Sequence, residues 1–245
     1  MSRWWYLAAP ALPLLLPQAL WVKRTALRLP DAAPPWQGRA LPVEPAAQSA
    51  QPLRLLVLGE STVAGVGVAD QSLALSGQLA QQWAASQQQP VDWVACGRNG
   101  ARARECLSDL LPTVIDQSWD RVVIVLGVND TTHLTSRPRW RREIRALLDS
   151  FAHSGGQCVL TAVPPMAHFH ALPQPLRGWF GLRSGLLDQD LQQVAAKAGA
   201  VHIAFDLPME PRYLAEDGYH PSVQGYRLWA EGIVRQMAAA RSIQD

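Results

Sequence analysis

The chain has 245 residues, of which 22 are Lys or Arg and 20 are Asp or Glu, so its formal net charge is only +2. This balance gives no electrostatic reason to expect nucleic acid as a partner, and it is compatible with a small or neutral substrate. The length suits one globular domain with an N-terminal extension. Cys96, Cys106 and Cys158 show no CxxC spacing, and their odd number argues against a disulfide framework and against a structural zinc site.

Residues 1–28 form an apolar N-terminal segment. Between Trp4 and Val22 only Gln18 is strongly polar, and Arg3 and Lys23 flank this run. The run is at the short end of the roughly 17 to 25 residues that a spanning helix needs, and three prolines interrupt it. Three interpretations stay open: a membrane anchor or interfacial segment, a cleaved signal peptide, and an arm packed on the domain. We expect a protein that is membrane-associated or cytoplasmic, with a secreted or periplasmic location if the segment is a signal.

The rest of the chain divides into a linker, a domain and a tail. Residues 29–52 carry six prolines among alanines and glutamines, which predicts an extended linker. The folded domain is expected over residues 53–240, followed by a tail at 241–245. Within the domain, strand-like runs alternate with amphipathic helical patterns, which indicates an α/β fold with right-handed crossovers and a parallel sheet. Strands are predicted at 53–58, 91–95, 121–126, 158–162 and 201–204, and helices at 73–85, 103–111, 140–152, 186–198 and 222–240.

Residues 164–183 interrupt this alternation with four prolines and several aromatic and histidine side chains. Loops beside the carboxyl edge of a parallel sheet commonly form binding sites, so we expect this excursion to supply a wall of a substrate pocket. The predicted pocket residues are Val63, Met166, His168, Phe169 and Trp179.

Three short blocks stand where loops leave predicted strands or enter the last helix. They are Gly59-Glu60-Ser61-Thr62, Gly127-Val128-Asn129-Asp130 and Asp217-Gly218-Tyr219-His220-Pro221. Loops at the carboxyl ends of parallel strands border one crevice, so these blocks should converge. A serine hydroxyl needs a base within hydrogen-bond reach and a third group that orients the base. We predict Ser61 as nucleophile, His220 as base and Asp217 as the orienting carboxylate.

A serine esterase also needs donors for the oxyanion that forms on the substrate. The main-chain amide of Ser61 is one candidate, and the side-chain amide of Asn129 is another. Gly100, after the second strand, could offer a further amide because glycine lets the main chain approach a substrate closely. Gly97 is the alternative for this position. Read alone, the Gly127 block is equally typical of a turn after a buried strand.

Together these residues resemble the SGNH hydrolases, also called the GDSL esterase and lipase family, over roughly residues 53–240. The resemblance implies a flavodoxin-like three-layer α/β/α sandwich with a central parallel five-stranded sheet, and ester hydrolysis through an acyl-enzyme without a cofactor. It places the nucleophile on Ser61, the oxyanion donors on Ser61, Gly100 and Asn129, and the acid and base on Asp217 and His220. Glu60 stands where the family most often has aspartate. That carboxylate is outside the triad, so the change bears on loop packing.

Other functional motifs are incomplete or weak in this sequence. A dinucleotide loop and a P-loop both lack required residues, and the nucleophile elbow G-x-S-x-G is absent around Ser61. A metal site from His133, His168, His170 and Asp130 is disfavoured, since a His-x-His pair in a proline-rich excursion is more often surface or pocket wall. The arginine run at 137–145 is expected to be a solvated face, with anionic lipid headgroups as the other option.

The same triad would also serve a thioesterase, a lysophospholipase or an acyltransferase, and a non-catalytic binding protein could keep the fold. The predicted partner is a small or lipid-like acyl ester. Contact with a membrane surface would come through the N-terminal segment, and the oligomeric state stays open.

Overall fold

The structure is a computed structural model that describes residues 12–152 and 155–241. Its strands are β1 (Gln37–Ala40), β2 (Leu53–Gly59), β3 (Val91–Gly97), β4 (Arg121–Val125), β5 (Gln157–Thr161) and β6 (Val201–Ile203). They form one sheet in the order β1-β3-β2-β4-β5-β6. Strands β2 to β6 pair in parallel, as predicted, and β1 adds an antiparallel edge strand.

The helices include counterparts of all five predicted ones, together with a helix before β1 and a short helix after β4. They are α1 (Leu12–Thr25), α2 (Leu75–Gln87), α3 (Ala103–Glu105), α4 (Val128–Thr132), α5 (Arg137–Phe151), α6 (Leu176–Ala198) and α7 (Val223–Arg241). Helix α3 continues into a π turn at Cys106–Leu110 and a 3₁₀ turn at Leu111–Thr113; other 3₁₀ turns are Pro45–Ser49, Met166–His168 and Pro211–Tyr213. Helix α6 begins ten residues before the predicted start, because the glycine- and aromatic-rich residues 176–185 form its first turns.

The sheet separates two hydrophobic cores. Successive side chains of a strand point to opposite faces, so Leu55 and Val57 pack on one side of β2 and Leu56 and Leu58 on the other. The first core is completed by residues of α2 and α7, and the second by residues of α3, α5 and α6. Two helical layers with a sheet between them make the three-layer sandwich that the sequence predicts.

The strand order places a crevice at the carboxyl ends of the central strands β2 and β4. Strand β2 lies between β3 and β4, so the connections that leave β2 and β4 diverge to opposite sides of a crevice, where open α/β sheets bind ligands. The last residue of β2, Gly59, is paired with Val125, the last residue of β4. The two following loops therefore begin at the same level.

Part of the predicted linker is packed on the domain. Strand β1 pairs with β3 from Gln37 opposite Val94 to Ala40 opposite Val91. The N–H of Ala32 also donates to the carbonyl of Ala64, at 3.0 Å. Residues 37–40 contain no proline, so this stretch can form the edge hydrogen bonds that the surrounding prolines cannot donate. The expectation of an extended linker therefore does not hold for these residues.

The N-terminal segment is described from residue 12, and residues 1–11 lie outside the described part of the chain. Residues 12–25 form helix α1, whose Leu15 side chain is buried against the region before α6. No helix within the described ranges has both the length and the hydropathy needed to cross a bilayer.

The arginine run at 137–145 is largely paired within the chain. Arg137 and Arg141 both contact the fully buried carboxylate of Asp190 on α6, at 2.7 and 2.8 Å. Two further pairs lie along α5 itself, between Arg139 and Glu143 and between Arg145 and Asp149. The run thus ties α5 to α6, and the pairing of these arginines argues against the lipid-headgroup option.

Candidate active site

The turn that carries Ser61 begins where β2 meets β4. A Cβ on Gly59 would lie 2.1 Å from the carbonyl oxygen of Val125, so only glycine permits this approach. The chain then enters a tight turn in which the N–H groups of Val63 and Ala64 donate to the carbonyl of Glu60, at 2.9 and 3.1 Å. This turn holds Ser61 at the carboxyl end of the sheet, where its side chain borders a cavity.

The structure brings the three predicted triad residues into one hydrogen-bonded chain. The Nε2 atom of His220 is 2.9 Å from Ser61 Oγ, and its Nδ1 atom is 2.6 Å from Asp217 Oδ2. The other carboxylate oxygen of Asp217 accepts the main-chain N–H groups of Tyr219 and His220, at 2.9 and 3.0 Å. The imidazole is therefore held from one side by the carboxylate and faces the hydroxyl with the other.

Two further contacts fix the loop that carries His220. The carbonyl of His220 accepts the N–H of Ala215 at 2.7 Å, which closes the loop on itself. The hydroxyl of the buried Tyr226, on α7, donates to the carbonyl of Val66 at 2.7 Å. Val66 belongs to the turn after Ser61, so this bond joins that turn to α7, the helix that follows the His220 loop.

The environment of Asp217 favours its ionised form. Burial by itself raises the pKa of this carboxyl, but the hydrogen bonds from the ring of His220 and from the two main-chain N–H groups outweigh burial, so the pKa is lowered from its ordinary value. The carboxylate is thus ionised at neutral pH. It can hold the Nδ1 proton and stabilise an imidazolium.

Glu60 links the serine turn to the loop after β4. Its carboxylate accepts the N–H groups of Val128 and Asn129, at 3.1 and 3.0 Å, and the Nδ2 amide of Asn129, at 2.7 Å. The same Nδ2 atom also donates to the carbonyl of Ala101, at 3.2 Å. The buried glutamate therefore sets the position of Asn129. The sequence predicts only an effect of Glu60 on loop packing.

Burial raises the pKa of Glu60 to about 7, and the negative charge of Asp130 adds to this effect, while the hydrogen bonds from Asn129 and Val128 oppose it. Since the folded-state pKa lies above the ordinary value of 4.5, the associated stability is fully present below that value and is lost as pH rises through about 7.

The Glu60→Gln variant cannot ionise at this position. We therefore expect its free energy of unfolding to rise relative to that of the native protein as pH increases. Between pH 4.5 and pH 8 the difference in unfolding free energy should move in favour of the variant by up to about 3 kcal/mol. At the acidic end the variant should be the less stable protein, because its amide N–H group would face the N–H of Val128. Urea unfolding of both proteins at a series of pH values measures this, and a difference that does not change with pH would contradict it.

The predicted oxyanion donors differ in their position relative to the cavity. The N–H of Ser61 has no acceptor within the described part of the chain, so it is free to bind a substrate oxygen. Asn129 borders the cavity beside it. Gly100 has a φ of +82° and lies exposed after β3, and its neighbour Asn99 lines the cavity in its place. Gly97, the alternative, packs closely against the main chain of Val63 and Ala64.

An apolar cavity of about 540 Å³ opens beside Ser61 and His220. Two of the five predicted pocket residues, Met166 and Phe169, line it. Three do not: Val63 is fully buried in the core between Gly59 and Gly97, His168 is exposed to solvent, and Trp179 packs behind the wall against Phe180. Val63 points between Gly59 and Gly97 because the main chain turns tightly after Ser61, and Trp179 lies in the first turns of α6, which begins before its predicted start.

Most residues of the cavity wall were not predicted from the sequence. The apolar residues that complete it include Ala162, Leu172, Leu176, Phe180, Leu207, Met209 and Trp229. Helix α1 adds Ala19, Val22 and Lys23. The spacing of Leu15, Ala19 and Val22 along one face of a helix was the available signal for this part of the wall.

The histidines considered for a metal site have different surroundings and contacts. His133 borders the cavity, with its Nδ1 atom 2.9 Å from the carbonyl of Asn129. His170 is exposed and pairs with Arg177, at 3.0 Å. Within residues 12–152 and 155–241, no group of three or more His, Cys, Asp or Glu side chains is arranged to hold a metal ion.

The chain resembles solved structures of ester hydrolases in fold. It superposes on the lipase/acylhydrolase from Enterococcus faecalis with a TM-score of 0.60 and 22% identity, covering 77% of this chain and 96% of that one. It superposes on the psychrotrophic esterase EstA from Pseudoalteromonas sp. with a TM-score of 0.62 and 16% identity, covering 77% and 98%. At these identities the likeness concerns the fold alone.

Sequence comparison gives the family. A GDSL-like esterase of Mycobacterium tuberculosis is 24% identical over 187 residues, which are 73% of this chain and 60% of that protein, so the chain spans less than two thirds of this relative's length. The model of the GDSL-like lipase/acylhydrolase family matches residues 57–228, which include Ser61, Asn129, Asp217 and His220. This match spans more than half of the chain, so the chain belongs to the GDSL-like lipase/acylhydrolase family.

Proposed function

We propose that this protein is a serine carboxylic ester hydrolase that acts through an acyl-enzyme. Ser61 Oγ attacks the carbonyl carbon of the ester while His220 Nε2 takes the hydroxyl proton, and His220 then returns that proton to the leaving alcohol. Water attacks the acyl-enzyme in the same way and releases the acid. The continuous chain of hydrogen bonds from Ser61 through His220 to Asp217 carries this proposal.

The oxyanion of the tetrahedral intermediate would be stabilised by the free N–H of Ser61 and by the Nδ2 amide of Asn129. Of the two bonds that this amide makes, the one to Ala101 is the longer, at 3.2 Å. An oxyanion would replace that bond, and the shorter bond to Glu60 would keep the amide in place. The main-chain N–H of Gly100 is a third donor if its loop turns towards the substrate.

The cavity indicates the kind of acyl group. Its walls are predominantly aliphatic and aromatic, and its volume of about 540 Å³ is within the range of pockets that enclose small ligands. We therefore propose a hydrocarbon acyl chain longer than acetyl as the group that occupies it. Lys23 belongs to the part of the wall that α1 supplies, where its ammonium group could bind a polar end of the substrate.

A fluorophosphonate probe tests the proposal directly, since it forms a stable bond only with an activated serine. We expect labelling of the full chain at Ser61, identified by peptide mass, and an initial burst of p-nitrophenol from p-nitrophenyl esters as the acyl-enzyme accumulates. A folded protein that neither reacts with the probe nor turns over esters would refute the hydrolase and favour a binding protein.

The cavity assignment makes a separate prediction at Ala19, which faces the cavity from α1. A tryptophan there would fill part of the space, so Ala19→Trp should lower kcat/KM for octanoyl esters by about tenfold while that for acetyl esters stays within about twofold. A p-nitrophenyl ester series measures both. Leu182→Trp, at an exposed position of α6, is the control and should leave the chain-length profile unchanged. An equal loss for short and long esters in Ala19→Trp would contradict the assignment.

A further inference from the structure

Helix α1 has one face packed on the domain. Leu15 is buried there in a cluster with Met166, Phe169, Leu172, Leu176 and Phe180, and Ala19 and Val22 pack against the same cluster. Three residues of the helix, Ala19, Val22 and Lys23, form part of the cavity wall beside the catalytic serine. The inward face of α1 is thus a structural part of the pocket.

A polar contact fixes the helix at this place. The Nε2 atom of Gln18 donates to the carbonyl of Gln174 at 2.6 Å, and its Oε1 atom accepts the N–H of Leu176 at 3.1 Å. Both partners lie at the start of α6, more than 150 positions along the chain. One glutamine therefore binds the N–H of Leu176, which the helix start leaves without an intrahelical partner, and the carbonyl of Gln174 just before the helix.

The opposite face of α1 is apolar and exposed. Leu14, Leu16, Leu20 and Trp21 are each between 52% and 61% exposed, although single exposed leucines are ordinary on protein surfaces. These four large exposed side chains on a helix of 14 residues form an apolar patch, and exposed apolar patches mark interaction sites. At about 100° per residue, Leu20 and Trp21 lie on the side of α1 away from the cavity-lining Ala19 and Val22.

The charged residues within α1 and directly after it are basic. Lys23 and Arg24 occupy the last turn of α1, and Arg28 follows it. The first 30 residues of the chain contain no Asp or Glu. Leucines with a tryptophan on one face and basic residues at the end are typical of helices that lie in the interface of a membrane containing anionic lipids.

We propose that the outward face of α1 rests on an anionic lipid surface while its inward face walls the acyl cavity. The helix then separates the lipid from the cavity by its own thickness alone. If the proposed esterase function holds, on which this last step rests, the cavity lies beside the bilayer surface, where lipid-derived esters are concentrated.

Sedimentation of the full chain with vesicles tests the surface. We expect the protein to sediment with phosphatidylglycerol vesicles, to do so less with phosphatidylcholine vesicles, and to be released from the former by raised salt. A triple variant, Leu16→Ser with Leu20→Ser and Trp21→Ser, should reduce the vesicle-bound to free ratio by at least about tenfold. None of these residues lines the cavity, so its kcat/KM on a soluble short ester should stay within about twofold.

Matched controls separate the proposal from its alternatives. Val43→Ser and Leu182→Ser remove exposed apolar side chains elsewhere and should sediment like the native protein. The Ser61→Ala variant should also sediment normally, so a failure of the esterase proposal would leave the membrane result standing. The proposal is overturned if the native protein stays in the supernatant with phosphatidylglycerol, if the triple variant sediments as well as native, or if the patch proves to mediate a dimer that does not bind vesicles.

Discussion

Replacing Ser61 by alanine is expected to lower kcat for p-nitrophenyl esters by about 10⁴ to 10⁶-fold. The hydroxyl lies 2.9 Å from His220 Nε2 and is the group that would attack the ester, so its loss removes the covalent route. What activity survives would come from binding and from the oxyanion donors acting on water. Steady-state kinetics with enough enzyme to detect a trace rate make the measurement.

The loss should be chemical and leave the fold intact. Alanine is smaller by one oxygen, and the turn around Ser61 is held by main-chain bonds to Glu60, so the midpoint of thermal unfolding should change little. Ser49→Ala, at an exposed serine of the turn Pro45–Ser49, is the matched control and should keep full activity. An active Ser61→Ala protein that still reacts with a fluorophosphonate would assign the nucleophile elsewhere.

A second large loss is expected for Asp217→Asn, of about 10⁴-fold in kcat. Asparagine can keep the two main-chain bonds through its oxygen, but its amide group would then face His220 Nδ1. The imidazole would be driven to the tautomer that carries its proton on Nε2. A nitrogen that already carries a proton cannot accept one from Ser61, and this is why the loss should approach the lower end of that expected for Ser61→Ala.

The structure offers a matched control for this substitution. Asp188 forms another carboxylate–imidazole pair, with His202 at 3.0 Å, outside the cavity. Asp188→Asn should therefore change kcat by less than about threefold, since Asp188 lies outside the cavity and the asparagine oxygen can keep the bond from the Val163 N–H. Equal losses in the two variants would mean that the effect of Asp217→Asn is a general loss of structure.

The carboxylate of Asp217 should also make the free energy of unfolding depend on pH in the acidic range. The pKa of Asp217 is lower in the folded chain, so its contribution to stability is present above the ordinary value of 3.8 and is lost as pH falls through the folded-state value. Hydrogen bonds from His220 and Tyr219 produce this contribution.

Much of this protein follows from local patterns in the sequence. The alternation of apolar strands with amphipathic helices predicts the parallel sheet, because each strand of such a sheet must be buried on both faces. The three short blocks mark the ends of strands and the start of the last helix, and strand ends in parallel sheets meet at one edge. The residues predicted for the triad therefore lie within hydrogen-bond distance of each other in the structure.

Other features depend on contacts between residues far apart in the chain. Strand β1 forms only because β3 presents a free edge to it, and α1 becomes a cavity wall only because α6 begins at Leu176, where Gln18 can bind. The inward direction of Val63 and the bond from Glu60 to Asn129 likewise depend on the close approach of β2 and β4. Periodicity within the sequence reports which face of an element is apolar, but it does not report what that face meets. The tertiary structure alone decided the shape of the cavity and the position of the helix that separates it from solvent.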